Sequence, residues 1–102
     1  MNNDFSLDPI KSAFVSAAYG KLTPSLMRFS ADVTVSEIRA QIIVLDETNE
    51  EELETILEIL GDMVGHLDGY TSDFEVIRIK SPRDVGEINP RLCLLYRSYA
   101  SW

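Results

Sequence analysis

The sequence predicts an α+β fold in the order α-β-β-α-β-β, a four-stranded, mainly antiparallel sheet with helices packed on it. Residues 27–35 and 38–44 alternate apolar and polar side chains, the period of a half-buried strand. Residues 48–67 place apolar side chains at three- and four-residue steps behind a capping sequence, the period of an amphipathic helix. Two further runs, 73–80 and 91–99, carry strand-forming residues and lie next to proline or glycine.

The elements follow in order. Asp8 serves as N-cap of the first helix, Pro9 takes its first position and Gly20 ends it. Ile10, Phe14, Ala17 and Ala18 share the face that docks on the sheet, and Thr23-Pro24 breaks the chain. In the next run Met27, Phe29, Ala31, Val33 and Val35 point one way, while Arg28, Ser30, Asp32 and Thr34 point the other. After a turn near Ser36-Glu37, Ile38, Ala40, Ile42 and Val44 alternate with Arg39 and Gln41. A hairpin with one buried and one largely wet face satisfies both runs. Ile43 and Leu45 break the alternation, which predicts partial cover on the second face.

Thr48-Asn49-Glu50-Glu51 reads as a capping box, a hydroxyl residue followed by glutamate three later. Leu53, Ile56, Leu57, Leu60, Met63, Val64 and Leu67 form the stripe that covers the sheet, and the helix ends before Asp68-Gly69. The third strand spans Asp73 to Lys80 and stops at Ser81-Pro82. A loop with Gly86 and Pro90 leads to Arg91–Tyr99, apolar enough on both faces for a well-covered fourth strand.

At 102 residues the chain reads as one domain, 1–102. Its 45% hydrophobic and 25% charged content is that of a folded protein, with disorder confined to the first few residues and the segment near 82–90. One cysteine, Cys93, cannot form an intramolecular disulfide. The opening Met1-Asn2-Asn3-Asp4 is unlike a secretory leader, and no apolar run approaches the roughly 20 residues that cross a bilayer. These features predict a cytoplasmic protein.

The net charge of −8 is uneven along the chain. Residues 40–77 hold Asp46, Glu47, Glu50, Glu51, Glu52, Glu54, Glu58, Asp62, Asp68, Asp73 and Glu75, with no lysine or arginine. A nucleic acid or an anionic membrane requires the opposite sign on the contact face. Neither is expected as a partner.

At about 100° per residue, Glu51, Glu54, Glu58 and Asp62 lie opposite the buried stripe, with Glu50 and Glu52 on its flanks. Glu50/Glu54, Glu54/Glu58 and Glu58/Asp62 are like-charge neighbours, each costing roughly 0.2–0.5 kcal/mol in a free helix. The helix dipole offsets the first of these, but not Glu58 and Asp62. A solvated face that keeps the protein in solution is one reading; such faces usually mix signs. The other is a negative surface kept for a cationic partner. Glu47, Glu50, Glu51, Glu54, Glu58 and Asp62 then form the partner-binding set, with Tyr70 and Trp102 as aromatic anchors.

Other chemistry finds little material. The carboxylates lack the spacing of a calcium loop, so no metal site is expected. His66 is the lone histidine, placed to cap the acidic helix, and one histidine is poor material for zinc. Cys93 sits in Leu92-Cys93-Leu94-Leu95, where a cysteine acts as a small apolar core residue rather than a nucleophile. No phosphate-cradling loop or nucleophile elbow is present. The expectation is a protein that is not an enzyme and uses no cofactor.

In layout the chain resembles the small bacterial immunity proteins of toxin–immunity systems, contact-dependent or colicin-like. The likeness lies in the opening helix, the hairpin Met27–Leu45, the Glu-rich helix begun by Thr48-Asn49-Glu50-Glu51, and late strands with Phe74-Glu75-Val76-Ile77-Arg78 and Leu95-Tyr96-Arg97. The resemblance implies a cognate protein toxin, often a basic nuclease domain, whose substrate groove or adjacent site the immunity protein covers. It transfers no residues by motif. The alternative is a structural or regulatory interaction module that self-associates through its sheet, with an apolar interface insensitive to salt.

Overall fold

The computed structural model describes residues 7–101. The expected disorder of the first few residues lies outside that range. Helix α1 (Asp8–Ala18) leads to strands β1 (Leu26–Val33) and β2 (Glu37–Leu45). Helix α2 (Glu50–Gly65), β3 (Thr71–Ile79) and β4 (Cys93–Arg97) follow, with short 3-10 turns at Pro82–Val85 and Tyr99–Ser101. The α+β class and the order α-β-β-α-β-β are those the sequence predicts.

The strands form one sheet in the order β3-β2-β1-β4. β1 pairs antiparallel with β2 and β4, but β2 and β3 are parallel. A parallel pair needs a crossover of a dozen or more residues, and the 16-residue α2 supplies it. At 1.5 Å per residue α2 runs about 24 Å, enough to return the chain along strands of similar length.

Both helices lie on one face of the sheet. Ile10, Phe14 and Ala17 of α1 and Ile56, Ile59, Leu60 and Met63 of α2 join Phe29, Ala31, Ile38, Ala40, Ile42 and Val44 in one buried cluster. The Phe14 and Phe29 rings meet with centroids 5.1 Å apart. Each such large side chain contributes roughly 1.5–3 kcal/mol by leaving water, so this layer holds the fold.

A bulge changes the predicted phase of β1. Leu26 pairs with Val44 and Arg28 with Ile43, leaving Met27 without a register partner. Leu26 therefore faces the helices with Phe29, while Met27 joins Ile43 and Val85 in a second cluster on the far face. The extra residue turned Met27 away from the side its parity predicted. Val35, expected on the buried face, is exposed in the turn.

The far face is drier than predicted. Arg28 and Ser30 are 3% and 0% exposed, and the chain after β3 folds back over Arg28. Ser81 caps that 3-10 turn, its hydroxyl accepting from the Arg83 N–H at 3.4 Å, and Val85 plugs the cluster. Arg28 donates to the Gly86 carbonyl at 3.1 Å and to Gln41 Oε1 at 3.3 Å. Burial first, and then the Arg97 cation, lower the pKa of its guanidinium. The cover expected from Ile43 and Leu45 is thus real, and it orders part of the segment near 82–90.

Further boundaries differ, β3 among them, which spans Thr71–Ile79 instead of Asp73 to Lys80. α1 begins at Asp8 itself, with Leu7 at the N-cap position, so Asp8 belongs to the first turn instead of capping it. α2 ends at Gly65, two residues short of the expected Leu67. β4 is shorter than Arg91–Tyr99 and lies at the sheet edge; Leu94 is 38% exposed and Cys93 only half-buried. A hydrophobic run read as a covered strand became an edge strand because no described residue pairs beyond it.

Candidate partner-binding face

The acidic face is positioned by how α2 begins. Asn49, not Thr48, is the N-cap: its side chain accepts from the Glu52 N–H at 2.8 Å, and Glu52 Oε1 accepts from the Asn49 N–H at 3.5 Å. The capping box is one residue later than Thr48/Glu51. Thr48 is buried and donates instead to the Leu45 carbonyl at 2.7 Å, tying off the end of β2. Asparagine caps as well as threonine does, so the two registers were close on local grounds.

That one-residue shift sorts the carboxylates. Glu52 turns inward, where its Oε2 accepts from the Ser25 hydroxyl at 2.7 Å. Glu50, Glu51, Glu54, Glu58 and Asp62 remain exposed on α2, and Glu47 is exposed in the loop before it. No ion pair reaches Glu50, Glu51 or Glu54 from any described residue.

The far end of the face is different. Lys21, just past α1, donates to Asp62 in an ion pair. The hydrogen bond to Asp62, and then the charges of Asp62 and Glu58, outweigh desolvation and hold the Lys21 pKa above 10.5. Asp62 is therefore not the unrelieved carboxylate that the sequence predicts. Its counterion comes from 41 residues away, with no local signal to announce it. Arg78 similarly reaches the loop before α2, donating to the Asp46 carbonyl at 3.2 Å and the Thr48 carbonyl at 2.8 Å. The unpaired negative surface is narrowed to the exposed edge carrying Glu50, Glu51 and Glu54, with Glu58 beside the Lys21–Asp62 pair.

The aromatic anchors fare unevenly. Tyr70 is half-buried and packs against the main core, so structural packing accounts for its ring. Trp102 lies outside the described residues. Large apolar side chains are exposed elsewhere: Tyr99 is 92% exposed, Val35 77%, and Tyr19 and Val15 at the end of α1 are 90% and 70% exposed. Sequence reading missed Tyr19 and Val15, although their four-residue spacing places them on one stripe of a helix.

His66 caps α2: its backbone N–H reaches the Asp62 carbonyl at 3.2 Å, and its Nδ1 lies 2.8 Å from the same oxygen. Among the described residues no group of three or more His, Cys, Asp or Glu side chains could hold a metal ion. No described helix is long and apolar enough to cross a membrane.

The surface clefts include two of more than 400 Å³. One, of about 480 Å³, opens on the sheet face away from the helices. Its walls mix signs, with Asp32, Asp73 and Glu75 beside Arg39, whose guanidinium is 3.9 Å from Asp73. The other, of about 420 Å³, is apolar and lies at the end of α1. A scan against protein-family models returns no match, and a search of curated proteins finds no similar chain.

Proposed function

We propose that this protein works by binding, as the immunity partner of a cationic protein toxin, with the outer face of α2 as its counter-surface. The toxin's basic groove, shaped for phosphates in a nuclease, would be covered by carboxylates that occupy the same positions. The observation that carries this proposal is the row Glu50, Glu51 and Glu54, exposed and without an ion pair from any described residue, on a helix anchored along its other side. A solubilising face of this area usually mixes signs. Here lysine and arginine are missing from the whole segment 40–77. The register of the face is set by Glu52 and the Asn49 cap, which fix where the helix starts.

The test pairs the chain with the polypeptide encoded immediately upstream of it. A stable complex with a basic C-terminal domain, and loss of that domain's toxicity, are the expected results. Charge reversal at Glu51, Glu54 and Glu58 to lysine should weaken the complex about 100-fold, mostly by slowing association. Added salt should slow wild-type association steeply, because the Debye length falls to about 3 Å at 1 M. Unchanged protection by the triple variant removes the acidic helix from the interface.

A further inference from the structure

We infer that the end of α1 is the apolar centre of the same partner interface, and that it accepts an apolar side chain ringed by lysine or arginine on a basic protein surface. This inference rests on the binding role proposed above. Val15 on α1 and Tyr19 at its C-cap stand four residues apart, and Gly20, at φ +76°, reverses the chain so that Leu22 closes the same cleft. The three are 70%, 90% and 45% exposed, whereas Ile10, Phe14 and Ala17 of the same helix are buried. Contiguous exposed apolar surface of this kind marks interaction sites. Tyrosine is also among the residues that anchor interfaces, with little entropy to lose.

The surrounding charge selects the occupant. Lys21 lies between Gly20 and Leu22 in the chain and reaches across to Asp62, so the apolar cleft adjoins the acidic face of α2. With Lys21 and Asp62 neutralising each other, Glu58 leaves this junction negative, and Glu54 continues the row one turn away. Lys11 lies a turn before Val15, at the end of the stripe away from Tyr19. A second copy of a chain of net charge −8 would bring like charges together, and an anionic lipid surface would be repelled. A basic surface with an apolar knob complements both features.

The experiment uses the isotopically labelled full chain and two helical peptides of about 18 residues, five turns each. One carries leucine on one face and lysine on the other; the second replaces every lysine with glutamate. The leucine–lysine peptide should shift the amide resonances of Val15, Tyr19, Leu22 and Glu58, and the leucine–glutamate peptide should not. Tyr19→Ser should raise the dissociation constant about tenfold with no change in melting, since Tyr19 is 90% exposed. Binding that shifts Glu51 and Glu54 but ignores Tyr19→Ser overturns the apolar centre and leaves the acidic face in place. Binding at Tyr19 that survives Glu51, Glu54 and Glu58 reversal, or equal binding of both peptides, overturns the charge selection. A concentration-dependent dimer abolished by Tyr19→Ser makes the occupant a second copy and refutes the proposal.

Discussion

Glu52→Ala removes two contacts that Glu51→Ala leaves intact, although the two residues are neighbours in the first turn of one helix. Glu52 accepts the Ser25 hydroxyl at 2.7 Å and closes the capping box with the Asn49 N–H at 3.5 Å. A hydrogen bond to a charged group contributes about 1.5–3 kcal/mol; the edge of α2 is open to water, which argues for the lower end. The long capping contact adds a few tenths at most. Both substitutions also lose a similar interaction with the helix dipole, about 0.3–1 kcal/mol, which cancels in the comparison. The predicted difference is therefore about 1.5 kcal/mol. Thermal unfolding should separate the variants by about 6–12 °C, and urea midpoints by about 1 M. A double-mutant cycle with Ser25→Ala should return a coupling of about 1 kcal/mol. Equal melting of the two variants, or no coupling to Ser25, would refute the Asn49 start of α2. Glu51→Ala has a second use: it should weaken partner association while costing no more stability than the helix-dipole interaction, about 0.3–1 kcal/mol.

Two other outcomes follow from the core and the helix junction. Phe29→Ala deletes a fully buried ring packed on Phe14 and should cost about 3–5 kcal/mol, read by urea unfolding; a loss under 1 kcal/mol would mean that the two-helix face is not the main core. Lys21 has a folded pKa above its ordinary 10.5, so the unfolded chain gives up this proton first. Its stabilisation is complete below pH 10.5 and fades as pH rises through the folded value, a decline that Lys21→Met should lack when both melting profiles are compared.

Legibility in the sequence tracks how local each determinant is. The stripe of Ile56, Leu60 and Met63 and the alternation of Ile38, Ala40, Ile42 and Val44 are readable because a helix or strand fixes their common face. The start of α2 was readable only to within one residue, since threonine and asparagine are both capping residue types and Thr48 and Asn49 each have a glutamate three later. Met27 was misplaced because a bulge inserts one residue and inverts parity, and its cause is the pairing with β2. In the candidate site, the exposed row Glu50, Glu51 and Glu54 was legible from helical phase. The pairing of Asp62 with Lys21 and the packing of Tyr70 were not.

The amino-acid order by itself determined the element types, their succession and the sign of the surface that α2 displays. Those depend on side-chain spacing within a few turns or strand repeats, where backbone geometry leaves little choice. Only the tertiary structure decided that β3 lies parallel to β2, that β4 forms an edge, and that one lysine answers one carboxylate across 41 residues. Such partners are chosen by closing the chain on itself, and many closures satisfy the same local pattern until the buried layer selects one.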